Sequence, residues 1–398
     1  MNRTLISYQI PGGTSFAERI TGLTWSAPDL WYTRGDVMRV GRLSPSDGSY
    51  KEYQIKFPAP QNRDLGDLAA MRRFGRQRSA RLAVAARRTR GLVMFDESPL
   101  AARLFELGGY KKRPDHDLVV SPNLVAVARN NSPWISALVR LASANPSNGH
   151  DSAMIQFSLG ASSGPHAKVL RLSPTAGVVA SIWFDATNRP WVAFGQGNSR
   201  IISPYIFGVM LGNSEVACYE TPDPVADYRS VTGHDAASTV RGVHSARGEI
   251  VSAPNIGIPF VGPSSFRDIQ FHHLPGLEIQ RLASNTAGDV WFSATRGSAG
   301  GAVGVLDHSA PARDGMQTTA IHERLSQLPN DVIVSELKVS QVASGLATIG
   351  RHVVAGTVGA SGAFNYWNTP HPVSFLTTGR TTPWFAFSQE RMIATLEN

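Results

Sequence analysis

The chain is short of several things that would settle its class at once. Its single cysteine, Cys218, cannot form an internal disulfide, so the fold has to be held by packing. Inside Val216-Ala217-Cys218-Tyr219 that residue reads as a buried strand position rather than a nucleophile. Charged residues make up only 17% of the 398, which disfavours coiled coils and long helical bundles, since those need abundant Glu, Lys and Ala. Nowhere do 18 apolar residues run together, so no membrane-spanning helix is expected. The first residues hold only a short apolar patch before Pro11-Gly12-Gly13, too short for a signal-peptide core, and a cytoplasmic setting is the expectation. Lysine is scarce as well: six residues, leaving 32 of the 38 cations as arginine. The guanidinium fork suits carboxylates and phosphates, although a GC-rich genome produces the same bias without selection for binding.

What is present points to strands and turns. Hydrophobic residues are 42% and aromatics 9%, enough to bury a core, while 37 Gly and 25 Pro punctuate the chain from end to end. Only Leu68 to Arg90 keeps a helical period for long. Elsewhere a unit of four short strands recurs. Its clearest copy runs Ile20 to Trp25, Leu30 to Thr33, Val40 to Leu43 and Tyr50 to Lys56. A second runs Gln280 to Ser284, Asp289 to Ser293, Ala302 to Asp307 and Gln317 to Ile321, and a third pairs Ala180 to Phe184 with Pro190 to Phe194. Taking Leu30, Leu82, Leu124, Pro190, Ile250, Val290 and Val353 as second-strand markers gives seven copies, 40 to 66 residues apart. The expectation is one all-β domain over residues 1–398, a seven-bladed β-propeller of four-stranded antiparallel blades. The N-terminal strand Thr4 to Ile10 would close the ring near Trp384 to Phe387, and an Arg-rich insertion would occupy about 68–90. The uneven spacing also fits a sandwich or two smaller β domains.

The order Gly22-Leu23-Thr24, Asp29-Leu30-Trp31-Tyr32-Thr33, Val40-Gly41-Arg42-Leu43-Ser44-Pro45 and Glu52-Tyr53-Gln54-Ile55 resembles the blade repeat of the virginiamycin B lyase-like (streptogramin lyase) propellers. Asp289 to Ser293 with Val303 to Asp307 resembles it again. That resemblance implies a seven-bladed ring and a Mg²⁺-assisted elimination that opens a cyclic depsipeptide at its ester. It also implies His in Pro-His motifs before first strands and Glu directly after the Trp-Phe-Thr strand. Here the Glu positions hold Arg34 and Ala294, and the nearest Pro-His pairs are Pro165-His166 and Pro370-His371.

In such a ring the turns between second and third strands, and between fourth and first, share one face around the channel mouth. Second strands end near Arg34, Arg87 and Arg129, with Gln196, Asn255 and Arg296 at similar positions. Several guanidinium groups at one mouth would favour an anionic ligand, whereas the plainer reading leaves them splayed in solvent as turn residues. His116, between Asp115 and Asp117, and His234, before Asp235, fit general bases on the same face, although Asp- and His-rich turns also occur without function. No motif-grade metal spacing is present. His272-His273 read as outer-strand residues facing opposite ways.

Eight arginines crowd residues 72–90, with Phe74 among them. Such a run could meet nucleic acid or an acidic protein, but no nucleic-acid motif accompanies it. Gly160-Ala161-Ser162-Ser163-Gly164 matches a nucleophile elbow in letters only, because Pro165 follows and no helical pattern does. Two classes of function therefore fit: a propeller that binds or acts on a small or peptide-like anionic ligand, as a lyase or hydrolase if it is an enzyme, or a scaffold for an acidic protein or nucleic acid.

Overall fold

A computed structural model describes residues 5–12, 18–56, 64–72, 80–86, 91–98, 100–106, 117–141, 151–158, 166–171, 178–195, 205–211, 215–220, 228–234, 239–244, 249–254, 270–274, 276–284, 290–295, 301–306, 326–327, 332–339, 344–350, 354–358, 364–369 and 372–396. No α-helix occurs among them, and in particular none long and apolar enough to cross a membrane. The described strands form eight four-stranded sheets, and among the described residues the β-propeller arrangement comprises five recognisable blades rather than seven. Two compact units divide them. Tyr8–Val179 with Ser388–Met392 carries the first three sheets, and Met1–Ser7, Ala180–Phe387 and Ile393–Asn398 carry the greater part of the other five.

The first sheet matches the sequence reading strand for strand: Ile20–Ser26, Asp29–Arg34, Arg39–Leu43 and Tyr50–Gln54. Its neighbours correct the blade count of seven. Leu124 lies in Asp117–Val127, the first strand of the third sheet, and Ile250 lies in Glu249–Pro254, the third strand of the fifth. The C-terminal strands Phe375–Thr378, Pro383–Phe387 and Met392–Leu396 form a separate eighth sheet rather than finishing the seventh. The N-terminal strand Leu5–Gln9 does complete that last sheet, but it pairs with Met392–Leu396 and not with the Trp384 strand. The fourth strand expected at 317–321 falls outside the described residues, and Ser326–Gln327 takes that place.

In the three-sheet unit the core lies between sheets. Trp31 stacks on Tyr53 with ring centroids 6.1 Å apart, and Phe95 of the second sheet tilts against both. The strand Arg81–Ala86 shows why two faces must be apolar. Its Leu82, Val84 and Ala86 join the Trp31 cluster, while Ala83 and Ala85 pack with Val125, Ile135 and Ile155 of the third sheet. A strand covered on both sides reads as a continuous apolar run, which explains why the 68–90 stretch mimicked a helical period. Its described residues form the end of Leu65–Ala70 and all of Arg81–Ala86 with irregular residues beside them, not a helix, and Arg81 is paired with Asp96. Within this unit, hydroxyls stitch first to second sheet: Thr21 donates to the Leu65 carbonyl and Thr33 to that of Gly66, each at 2.8 Å.

Two turns between first and second strands are built alike. In Ala128 to Ser132 and Asp185 to Arg189 an asparagine, Asn131 or Asn188, holds φ of 65°. Both lead into Pro-Trp at the start of the second strand. The Asp185 carboxylate accepts from the Thr187 and Arg189 amides, the Thr187 hydroxyl, the Arg189 guanidinium and the Trp191 indole. Burial works to raise its pKa, but these hydrogen bonds outweigh burial and hold it below the ordinary aspartate value. Asn131 does more than turn the chain: it accepts from the Arg72 amide and donates to the Arg72 carbonyl, both at 2.7 Å. Asn131→Ala should therefore lose both bonds and the left-handed preference, about 2–3 kcal/mol together. Asn131→Gly keeps the backbone freedom and should lose less. Equal urea midpoints for the two variants would show that the Arg72 bridge alone matters.

Candidate functional site

In an antiparallel meander such as the first sheet, the connection between second and third strands lies at one end and the other two connections at the opposite end. The best-described instance of the first kind is the close of Asp29–Arg34, where Arg34 pairs in register with Arg39 across the turn 35–38. Arg34 is fully buried. Its Nη2 meets Glu18 Oε2 at 2.7 Å, and its Nη1 reaches both Glu52 oxygens at 2.9 and 3.0 Å. The same Nη1 donates to the Pro11 carbonyl, and Nε donates to the Glu18 carbonyl. Arg39 adds a second contact to Glu52 at 2.9 Å, and Arg391 a second to Glu18 at 3.3 Å.

Sequence order explains how these groups meet. Gly41 stands between Tyr32 on one side and Glu52 on the other in the register of the sheet. With no side chain on Gly41, the Tyr32 ring lies over it and the hydroxyl reaches Glu52 Oε1 at 3.2 Å. Burial first, and the Glu52 carboxylate second, push the Tyr32 phenol well above its ordinary range. At the opposite end of the first two sheets, Glu97 accepts from Arg42 at 2.6 Å and from the Tyr53 hydroxyl at 3.1 Å. Burial and that carboxylate push Tyr53 up to about 12.

The expected ring of arginines is thereby sorted. Arg34 is the last residue of its strand, fully buried and matched to two carboxylates within the fold. Arg129 belongs to the turn after the first strand of the third sheet, the opposite end from Arg34's, and is exposed there. Leu124 to Val127 belongs to the first strand of its sheet, not to a second strand. Asn255 follows a third strand and so also belongs to that opposite end. Arg87, Gln196 and Arg296 each directly follow a second strand, namely Arg81–Ala86, Pro190–Gly195 and Val290–Thr295. These three residues and Asn255 lie outside the described residues, as does His116, which directly precedes the first strand of the third sheet. His234 ends a first strand, paired with Thr239, rather than preceding one. The two histidines thus take opposite kinds of strand end.

Glu18, Glu52, Arg39 and Arg391 were not singled out from sequence. Glu52 had a readable signal, a glycine opposite it with Tyr32 beyond. Glu18 and Arg391 had none, being 373 residues apart. Among the described residues no group of three or more His, Cys, Asp or Glu is placed to hold a metal ion. At the two positions where the lyase resemblance places a metal-binding Glu, a buried Arg34 and a buried Ala294 do not fit a divalent cation.

Comparison with solved structures places the fold. The chain is similar to virginiamycin B lyase from Staphylococcus aureus, with a TM-score of 0.54, 11% identity and full coverage of both chains. A streptogramin B lyase matches at 0.54 and 13% identity, over 100% of this chain and 98% of that one. Saccharomyces cerevisiae Sqt1 matches at 0.54 and 9%, over 99% of this chain and 98% of that one. At such identities the likeness is one of fold. No family profile and no curated protein matches the chain.

Proposed function

We propose that the chain is a cytoplasmic binding propeller for an anionic small-molecule or peptide-like ligand, recognised at the sheet end that carries the turns between second and third strands. The supporting observation is the recurrence of arginine directly after second strands. Arg87 follows Arg81–Ala86, with Arg88 and Arg90 before the third strand begins at Gly91, and Arg296 follows Val290–Thr295. Arg34 shows what neutralises an arginine at this end, two carboxylates within 3 Å. The stretch 87–90 contains three arginines. Each guanidinium group offers a fork that fits a carboxylate or phosphate, and several such groups in one stretch favour an anionic ligand. The lyase-like fold is compatible with turnover on the same ligand, with His116 the histidine at the matching kind of strand end.

A thermal-shift screen against citrate, inorganic phosphate and short acidic peptides tests this directly. A hit should lose most of its shift in Arg87→Ala or in Arg296→Ala, and keep it in Arg129→Ala. A shift that survives both of the first two, or vanishes with Arg129→Ala, overturns the assignment of the binding end.

A further inference from the structure

The N-terminal strand Leu5–Gln9 buries little of its side-chain surface. Ile6, Ser7 and Gln9 are exposed, Leu5 and Tyr8 only half-buried. Burial of apolar surface therefore contributes little to holding it against Met392–Leu396. Polar contacts hold its end and the described residues beyond it. Gln9 Nε2 donates to the Glu390 carbonyl at 2.8 Å, and the Ile10 amide to the Arg391 carbonyl at 2.9 Å. Arg34 then takes the carbonyls of Pro11 and Glu18, and the Glu18 carboxylate bridges Arg34 and Arg391. Gly12 is threaded among these groups so tightly that a Cβ there would collide with Glu18 Oε2 and with the guanidinium groups of Arg34 and Arg391.

We infer that Leu5–Gln9 is a detachable strap, and that the Glu18 bridge between Arg34 and Arg391 is the latch that keeps it in the last sheet. Arg34 is already secured by Glu52, so its hold on the first sheet does not depend on the strap. Glu18 lies outside every sheet, and its carboxylate pairs with Arg34 and Arg391. Opening the latch should free the strap and expose the outer edge of Met392–Leu396 while the three-sheet unit stays folded.

Hydrogen exchange read by mass spectrometry on the full chain is the test, comparing the natural sequence with Glu18→Gln. Peptides covering Leu5–Gln9 and Met392–Leu396 should exchange roughly tenfold faster or more, with peptides of Arg81–Ala86 unchanged. Arg391→Gln breaks only the Arg391 arm and leaves Glu18 on Arg34, so it should give a smaller increase confined to the same peptides. If neither variant changes exchange at the two strands, the latch does not hold the strap. If every peptide accelerates together, the bridge supports the whole unit and the strap is not separable.

Discussion

Replacing Arg34 with leucine is expected to lower folding stability by about 3–5 kcal/mol, the range for removing one partner of a buried ion pair. Exposed pairs in contrast are worth about 0–1 kcal/mol, and Arg34 differs from them because its side chain has no solvent contact at all. The loss has two parts. Two carboxylates and two backbone carbonyls, of Pro11 and Glu18, lose their donor at once. Arg39 and Arg391 remain to compensate Glu52 and Glu18 in part, which sets the upper limit. In thermal unfolding followed by tryptophan fluorescence the midpoint should fall by about 4–6 °C. Adding Glu18→Gln to the leucine variant should lose less than the two single effects summed, because it removes one of the orphaned charges. A change under about 1 kcal/mol would place Arg34 with ordinary surface pairs, and would reopen it as a ligand-binding residue.

The second large effect is expected at Gly41. A methyl group there would fall inside the Tyr32 ring, which is itself fully buried and tied to Glu52. Neither can yield, because Gly41 is paired in register with Tyr32 on one strand and with Glu52 on the other. Gly41→Ala should lose about 3 kcal/mol or more, at or beyond the upper end of overpacking effects. The cause is separable from the general weakness of glycine in strands. In Tyr32→Ala the ring is gone, so adding Gly41→Ala should then be close to neutral, and a double-mutant cycle in urea should show coupling of about 2 kcal/mol or more. Additive effects would refute the ring-over-glycine packing. Gly304 lies opposite Phe292 in the same way and is expected to behave likewise.

Much of the fold was legible because a blade repeats its strands locally. Periodicity and turn residues recovered all four strands of the first sheet and the leading three of the sixth. The count failed where apolar runs looked alike whichever strand they formed. Leu124 to Val127 and Ile250 to Ala253 are as apolar as any second strand, and nothing in their composition gives their order in the sheet. A better marker was present. Pro-Trp opens the second strands Pro133–Leu141, Pro190–Gly195 and Pro383–Phe387. Each proline terminates the preceding turn, and each indole enters the buried strand: Trp134, Trp191 and Trp384 are all buried. Reading those three dipeptides as one signal gives the third sheet its correct order, moves Arg129 to the other end and separates the eighth sheet from the seventh.

The site was less legible for a reason of distance. An arginine at a strand end looks the same in sequence whether its carboxylate partner is near or absent. Arg34 finds Glu52 two strands away and Glu18 before its own sheet begins, contacts set by tertiary structure alone. Arg87 and Arg296 keep the position that the sequence reading gave them, directly after second strands, so the binding proposal rests on them.

Arginine modification by phenylglyoxal, mapped by mass spectrometry with and without a saturating anionic hit from the screen, tests that proposal most directly. Arg34 should stay unmodified in both states, Arg129 should react equally in both, and Arg87 or Arg296 should react freely alone and be protected by the ligand. Protection of Arg129 with no change at Arg87 and Arg296 would contradict the account.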